Sequence, residues 1–102
     1  MKDEEINVAI AEACGWTYDP EEEGWFGPNN EFDDETMGVP NYASDLNAMH
    51  EAVTSQEEHV QTAFMLELCQ LCQSWGAWPI LTKARQRAEA FLRTVGKWKE
   101  GV

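Results

Sequence analysis

VPNYASDLNAMHEAV, residues 39–53, decides how many helices the middle of the chain contains. Pro40 keeps Val39 out of helical conformation, because the proline ring crowds the backbone of the residue before it. Ser44 is the predicted N-cap, and Asp45 stands in the first turn, where the helix dipole favours negative charge. Leu46, Met49, His50 and Val53 then share one face. Ser55 with Glu58 three residues on has the spacing of a capping box, so a further helix is expected to start there. Thr54 and Ser55 thus divide what would otherwise read as one long helix.

Upstream, Ile6, Ala9, Ile10 and Ala13 recur at helical spacing, and Asp3 to Cys14 reads as a short amphipathic helix stopped by Gly15. WTYD (16–19) and GWFG (24–27) are short aromatic segments around PEEE, which predicts a hairpin. Residues 28–38, rich in Asn, Gly and carboxylates, read as a solvated loop. Downstream, Val60, Phe64, Leu68, Leu71 and Trp75 form the stripe of a third helix that Gly76 ends. AWPIL (77–81) is a candidate third strand, with Pro79 placing it at a sheet edge or strand start. Thr82 is expected to cap a last helix whose buried stripe is Ala84, Ala88, Phe91 and Val95. The order α, β, β, α, α, β, α predicts an α+β fold: a small antiparallel sheet of about three strands layered with about four helices. At 102 residues this is one domain, 1–102, without an internal repeat.

No apolar run reaches the ~20 residues that span a bilayer, and no secretory leader pattern opens the chain. Three cysteines, Cys14, Cys69 and Cys72, are too few for a disulfide scaffold. A soluble, intracellular protein is the expectation. The net charge of -12 is unevenly spread: residues 1–82 hold seventeen acids against Lys2 alone, while residues 83–102 hold six bases and two acids. Nucleic acid backbones and anionic membranes should repel such a body, which argues against direct nucleic acid or membrane binding.

Three blocks, INVAIAEACGW (6–16), VPNYASDLNAMHEAV (39–53) and ARQRAEAFLRTVGKWKE (84–100), resemble the phage ABA sandwich domain family of bacteriophage and prophage proteins. They cover 43 of 102 residues. The resemblance implies a sheet layered between helices and a bacteriophage setting, hence the cytoplasm of an infected bacterial host. It implies no general activity.

The residues themselves offer few routes to chemistry. Cys69-x-x-Cys72 places two thiols on one helix without a second ligand pair, so both are expected in the core and no metal is expected. His50, beside the Leu46–Met49–Val53 stripe, reads as a packed, hydrogen-bonded histidine; no nucleophile motif accompanies it. Trp16, Trp25, Trp75, Trp78 and Trp98 lie at element ends, where they staple helix to sheet or, for a minority, stack on a base. The bases of the last helix either pair with the acids of residues 1–82 or form a local cationic pocket for a small anion.

These features point to a non-enzymatic counter-defence protein that sequesters a cyclic nucleotide or related immune signal of the host, needing no cofactor. Lys83, Arg85, Arg87 and Arg93 would meet phosphates, with Asn41, Tyr42 and Trp78 as further ligand contacts, at an interface between identical subunits of a homo-oligomer. The alternative is an inhibitor whose acidic surface, Glu21, Glu22, Glu23, Asp33, Asp34 and Glu35, imitates nucleic acid and blocks a basic host defence protein.

Overall fold

Helical periodicity dominates this chain, and the computed structural model, which describes residues 1–21, 24–27 and 39–99, shows four α-helices and one hairpin among those residues. Helix α1 (Asp3–Ala13) carries Asp3, Glu4 and Glu5 in its first turn, where they meet the positive end of the helix dipole. It turns Ile6, Ile10 and Ala11 inward. Gly15, at φ 93°, takes the left-handed conformation that ends the helix and lets the chain enter the hairpin.

Strands β1 (Thr17–Asp19) and β2 (Gly24–Phe26) pair antiparallel, with Tyr18 opposite Trp25 and their rings 5.5 Å apart. Such a cross-strand aromatic contact helps to hold so short a ribbon together. The expected third strand does not form. Pro79–Leu81 is instead a 3₁₀ turn. Pro79 has no N–H for a ladder, and the Thr82 hydroxyl donates to the Pro79 carbonyl at 2.7 Å, closing the segment on itself.

Three helix starts also differ from expectation by one or two residues. Asp45, not Ser44, caps α2 (Leu46–Thr54): its Oδ1 accepts the N–H groups of Asn47 at 2.9 Å and Ala48 at 3.3 Å. Ser55 does not open the next helix, because its backbone is still helical and its hydroxyl donates to the Ala52 carbonyl at 2.8 Å. Helix α3 (Glu58–Trp75) begins from Glu57, and Gln61 Nε2 reaches back 2.8 Å to the Gln56 carbonyl to hold the corner. Its end is Gly76, left-handed at φ 68°. Helix α4 (Ala84–Thr94) starts from Lys83, whose N–H donates to Gln86 Oε1 at 2.9 Å, while Thr82 is occupied in the turn.

Packing makes α4 the centre. It contacts α1, α2 and α3, and Ala84, Ala88, Ala90, Phe91 and Leu92 are buried along it. Small residues on one side let neighbouring helices approach, while Phe91 fills the space between them and meets Phe64 of α3 at 6.4 Å. Met49 and Ala52 from α2, Phe64, Leu68 and Cys72 from α3, and Tyr42 with Ala43 from the α2 approach complete the core. Each large apolar side chain so buried contributes about 1.5–3 kcal/mol. Among the described residues no strand side chain joins this cluster. The α+β class stands, with a two-stranded sheet, but the layers are helix on helix rather than a sheet between helices. No helix among the described residues is long and apolar enough to cross a membrane.

Candidate functional site: an apolar cleft with one arginine

The four bases expected to form one phosphate site project to different surroundings. Arg85 Nη1 pairs with Asp3, and its Nη2 donates 2.7 Å to the Met1 carbonyl, so this guanidinium ties the start of α1 to α4. Arg93 Nε donates to Glu89 Oε2 at 3.2 Å one turn back, and its guanidinium lies 5.7 Å from the Trp98 ring centre. Lys83 is exposed at the head of α4. Much of the basic helix is therefore spent on acids and carbonyls of the same chain.

Arg87 is different. Its Nε donates to the Thr82 hydroxyl at 2.9 Å, and its Nη2 reaches the carbonyls of Pro79 and Ile80 at 3.5 Å each. These contacts fix the plane of the guanidinium against the 3₁₀ turn. They leave Nη1 without a hydrogen-bond partner among the described residues, and no carboxylate pairs with this arginine there.

The same side chain lines a cleft of about 450 Å³. Met49 and Val53 of α2, Phe64, Met65 and Leu68 of α3, and Ile80 of the turn supply its apolar walls. His50, Gln61 and Thr54 add polar edges. Among the described residues, none that lines it is acidic, in a protein of net charge -12. A guanidinium held in an apolar wall and shielded from competing carboxylates attracts an anion more strongly than the same group in open water. Concave, mostly apolar, with a few fixed polar groups, the cleft has the make-up of a small-molecule site.

His50 was expected to pack and hydrogen-bond. It is exposed instead and borders the cleft, because α2 is rotated so that Met49 and Ala52, rather than Leu46 and His50, face the core. Leu46 is 45 % exposed.

Tyr42 and Asn41 do not meet the arginine. Tyr42 is 4 % exposed in the core, and the Trp16 indole N–H donates to its hydroxyl, so its ring offers no free face for stacking. Burial, with smaller electrostatic effects from Cys14 and Glu51, pushes its phenol well above the ordinary value. Asn41 Oδ1 accepts from Asn7 Nδ2 at 3.1 Å, and Asn7 Oδ1 in turn accepts the Ala43 N–H at 2.8 Å, so this pair staples residues 41–43 to α1. Both hold the α1–α2 side together. Trp78 is 75 % exposed just before the 3₁₀ turn, next in sequence to the cleft residues Pro79 and Ile80.

The cysteines also divide. Cys69 is exposed and Cys72 buried, so only one thiol of the C-x-x-C motif is in the core. Cys14 is half-buried, its sulfur accepting from Gln56 Nε2 at 3.6 Å; burial pushes its thiol up, against the hydrogen bonds from Ser55 and Gln56. Of the acidic surface, Glu21 is described and exposed, its N–H donating to Asp19 Oδ1 at 2.9 Å; Glu22, Glu23, Asp33, Asp34 and Glu35 lie outside the described residues.

The cleft walls were not foreseen as a site. Their one sequence signal is Met65, an apolar residue off the buried stripe of α3 and close in space to a proline-led apolar run. No known protein family, curated protein or solved structure matches the chain.

Proposed function

We propose that this protein is a non-enzymatic binding protein that captures a small nucleotide-type ligand in the cleft between α2, α3, the 3₁₀ turn and α4. The observation that carries the reading is Arg87: a guanidinium oriented by Thr82 and two turn carbonyls, in the wall of a cleft where, among the described residues, Nη1 is unused and no acid lines the wall. A phosphate would take Nη1, and a flat base would lie against Met65, Phe64 and Ile80. One arginine per cleft favours a ligand presenting a single phosphate to each chain over a polyphosphate. The bacteriophage setting and the role of sequestering a host immune signal belong to the same proposal and derive from the resemblance of the three sequence blocks.

Native mass spectrometry of the purified protein with mononucleotides, cyclic di- and trinucleotides and cyclic ADP-ribose isomers tests it. The expected result is one ligand retained and recovered chemically unchanged. Arg87→Lys, which keeps the charge but loses the fork, and Arg87→Ala should weaken binding by about ten- to a hundredfold, the loss of one hydrogen bond to a charged group. Arg85→Ala should leave affinity as it was, since Arg85 serves Asp3 and Met1. Retention of no nucleotide, or binding indifferent to Arg87 but lost with Arg85, overturns the reading.

A further inference from the structure

Helix α3 and the turn after it present an uncovered face with an unusual property. From Leu68 to Thr82 the chain contains no charged residue, fifteen positions in a protein one quarter of whose residues are charged. On α3, Thr62, Met65, Leu66, Cys69, Gln70 and Gln73 are all exposed at i, i+3, i+4, i+7, i+8 and i+11, the spacing of one continuous helix face. Met65 is 50 % and Leu66 63 % exposed. Beyond the helix end, Trp78, Ile80 and Leu81 are 75, 82 and 73 % exposed. Met65 and Ile80 border the same cleft, so the helix face and the turn form one surface. Scattered exposed apolar residues need no explanation, but a contiguous group with a tryptophan at its edge is the composition of an interface core.

We infer that this face is where two copies of the chain associate, through antiparallel packing of α3 against α3 about a two-fold axis near Leu66 and Cys69. Charge selects the occupant. A second copy also carries -12, so the acids of residues 1–67 repel its approach there, while the uncharged face does not. A basic partner would be drawn to the acids of residues 1–67 instead of to the stretch that has none. A two-fold axis at the middle of the stripe makes the face self-complementary. It brings the acidic start of α3 in one copy, Glu57 and Glu58, toward the end of α3 in the other, where the next charge along the chain is Lys83. It also lays one copy beside the mouth of the other's cleft, since Met65 and Ile80 belong to both.

The association is independent of any ligand, so its test and that of the binding proposal fail separately. Sedimentation velocity and light scattering of the full chain without ligand should show a dimer at micromolar concentration that dissociates on dilution. Leu66→Glu and Ile80→Glu should each weaken it at least tenfold, and both residues are exposed enough for the monomer to keep its melting temperature. Mild oxidation should link the wild-type dimer through Cys69, and Cys69→Ser should abolish the link. A wild-type monomer over the whole concentration range, a dimer untouched by both charge insertions, or a dimer never linked through Cys69 overturns the inference.

Discussion

Where α4 meets α1, polar and charged groups are matched across the join: Arg85 finds Asp3 and Met1, and Asn7 with Asn41 holds the chain that leads into α2. Where α3 meets the 3₁₀ turn, apolar side chains point outward and an arginine keeps a donor that no other described residue engages. The first join is closed by contacts within the chain. The second is closed inward by Phe64, Leu68 and Cys72 and left open outward. A region complete in itself contributes to stability alone, whereas surplus apolar area and an unused donor at one place are what binding requires. This difference, rather than total basicity, moves the candidate site from the exposed bases of α4 to the cleft.

The strongest way to break this comparison lies on α3 itself. Leu68 is 3 % and Leu66 63 % exposed, two residues apart on opposite sides of one helix. Leu68→Ala should lower unfolding free energy by about 2–5 kcal/mol, through lost transfer energy and the cavity left behind. Leu66→Ala should change monomer stability by no more than about 0.5 kcal/mol. Denaturant melts at dilute concentration measure both. Equal losses would mean that the outward face is buried in the monomer.

That contrast also marks how far the sequence could be read. The Phe64–Leu68 repeat announced the inward side of α3, because helical periodicity is local and needs only a window of residues. The stripe drawn through Leu71 and Trp75 was less accurate: both are half-buried and Cys72 takes the central place. Proline at 79 was understood as unfit for a central strand, yet whether AWPIL finds a strand partner or curls into a turn depends on what the rest of the fold offers. The site was mostly illegible. Arg85 and Asp3 are 82 positions apart, so nothing near Arg85 reveals that it is engaged. Arg87 looks the same in sequence as Arg85, and the difference arises from which neighbour the fold supplies. Tyr42, expected as a ligand contact, is buried in the core and bonded to Trp16, a contact outside any local window.

Alkali should weaken the closed region too. Cys14 and Tyr42 both have their proton affinities raised above the ordinary 9.0 and 10.0, chiefly by burial. A group whose folded pKa lies above its unfolded value contributes stability that is fully present below the unfolded pKa. That stability is lost as pH climbs toward the folded one, because the unfolded chain releases its proton earlier. The denaturant midpoint should therefore hold below pH 9.0 and fall as pH passes first 9.0 and then 10.0. Tyr42→Phe should flatten the upper part of that fall, and Cys14→Ala a share of the lower part, the remainder belonging to Cys72, whose thiol burial also pushes up. A midpoint that falls equally in both variants would place these groups in water and open the region described as closed.

The smallest effect belongs to the contact that looks strongest. Arg85 and Asp3 form an ion pair between the two ends of the sequence, yet their side chains are 48 and 61 % exposed. Water and salt screen such a pair, and holding two long side chains in one geometry costs entropy, so its coupling energy should be no more than about 0.5 kcal/mol. Asp3→Asn alone mixes two effects, because Asp3 also sits in the first turn of α1, where its charge meets the helix dipole. Arg85→Gln removes the pair and keeps that dipole contact. A double-mutant cycle of the two therefore isolates the pairing, and raising the salt concentration should shrink it further. A coupling above about 1 kcal/mol that persists in high salt would show a pair behaving as if desolvated. The join between α1 and α4 would then be sealed by charge, and the stability of this protein would rest on its termini far more than its helical core implies.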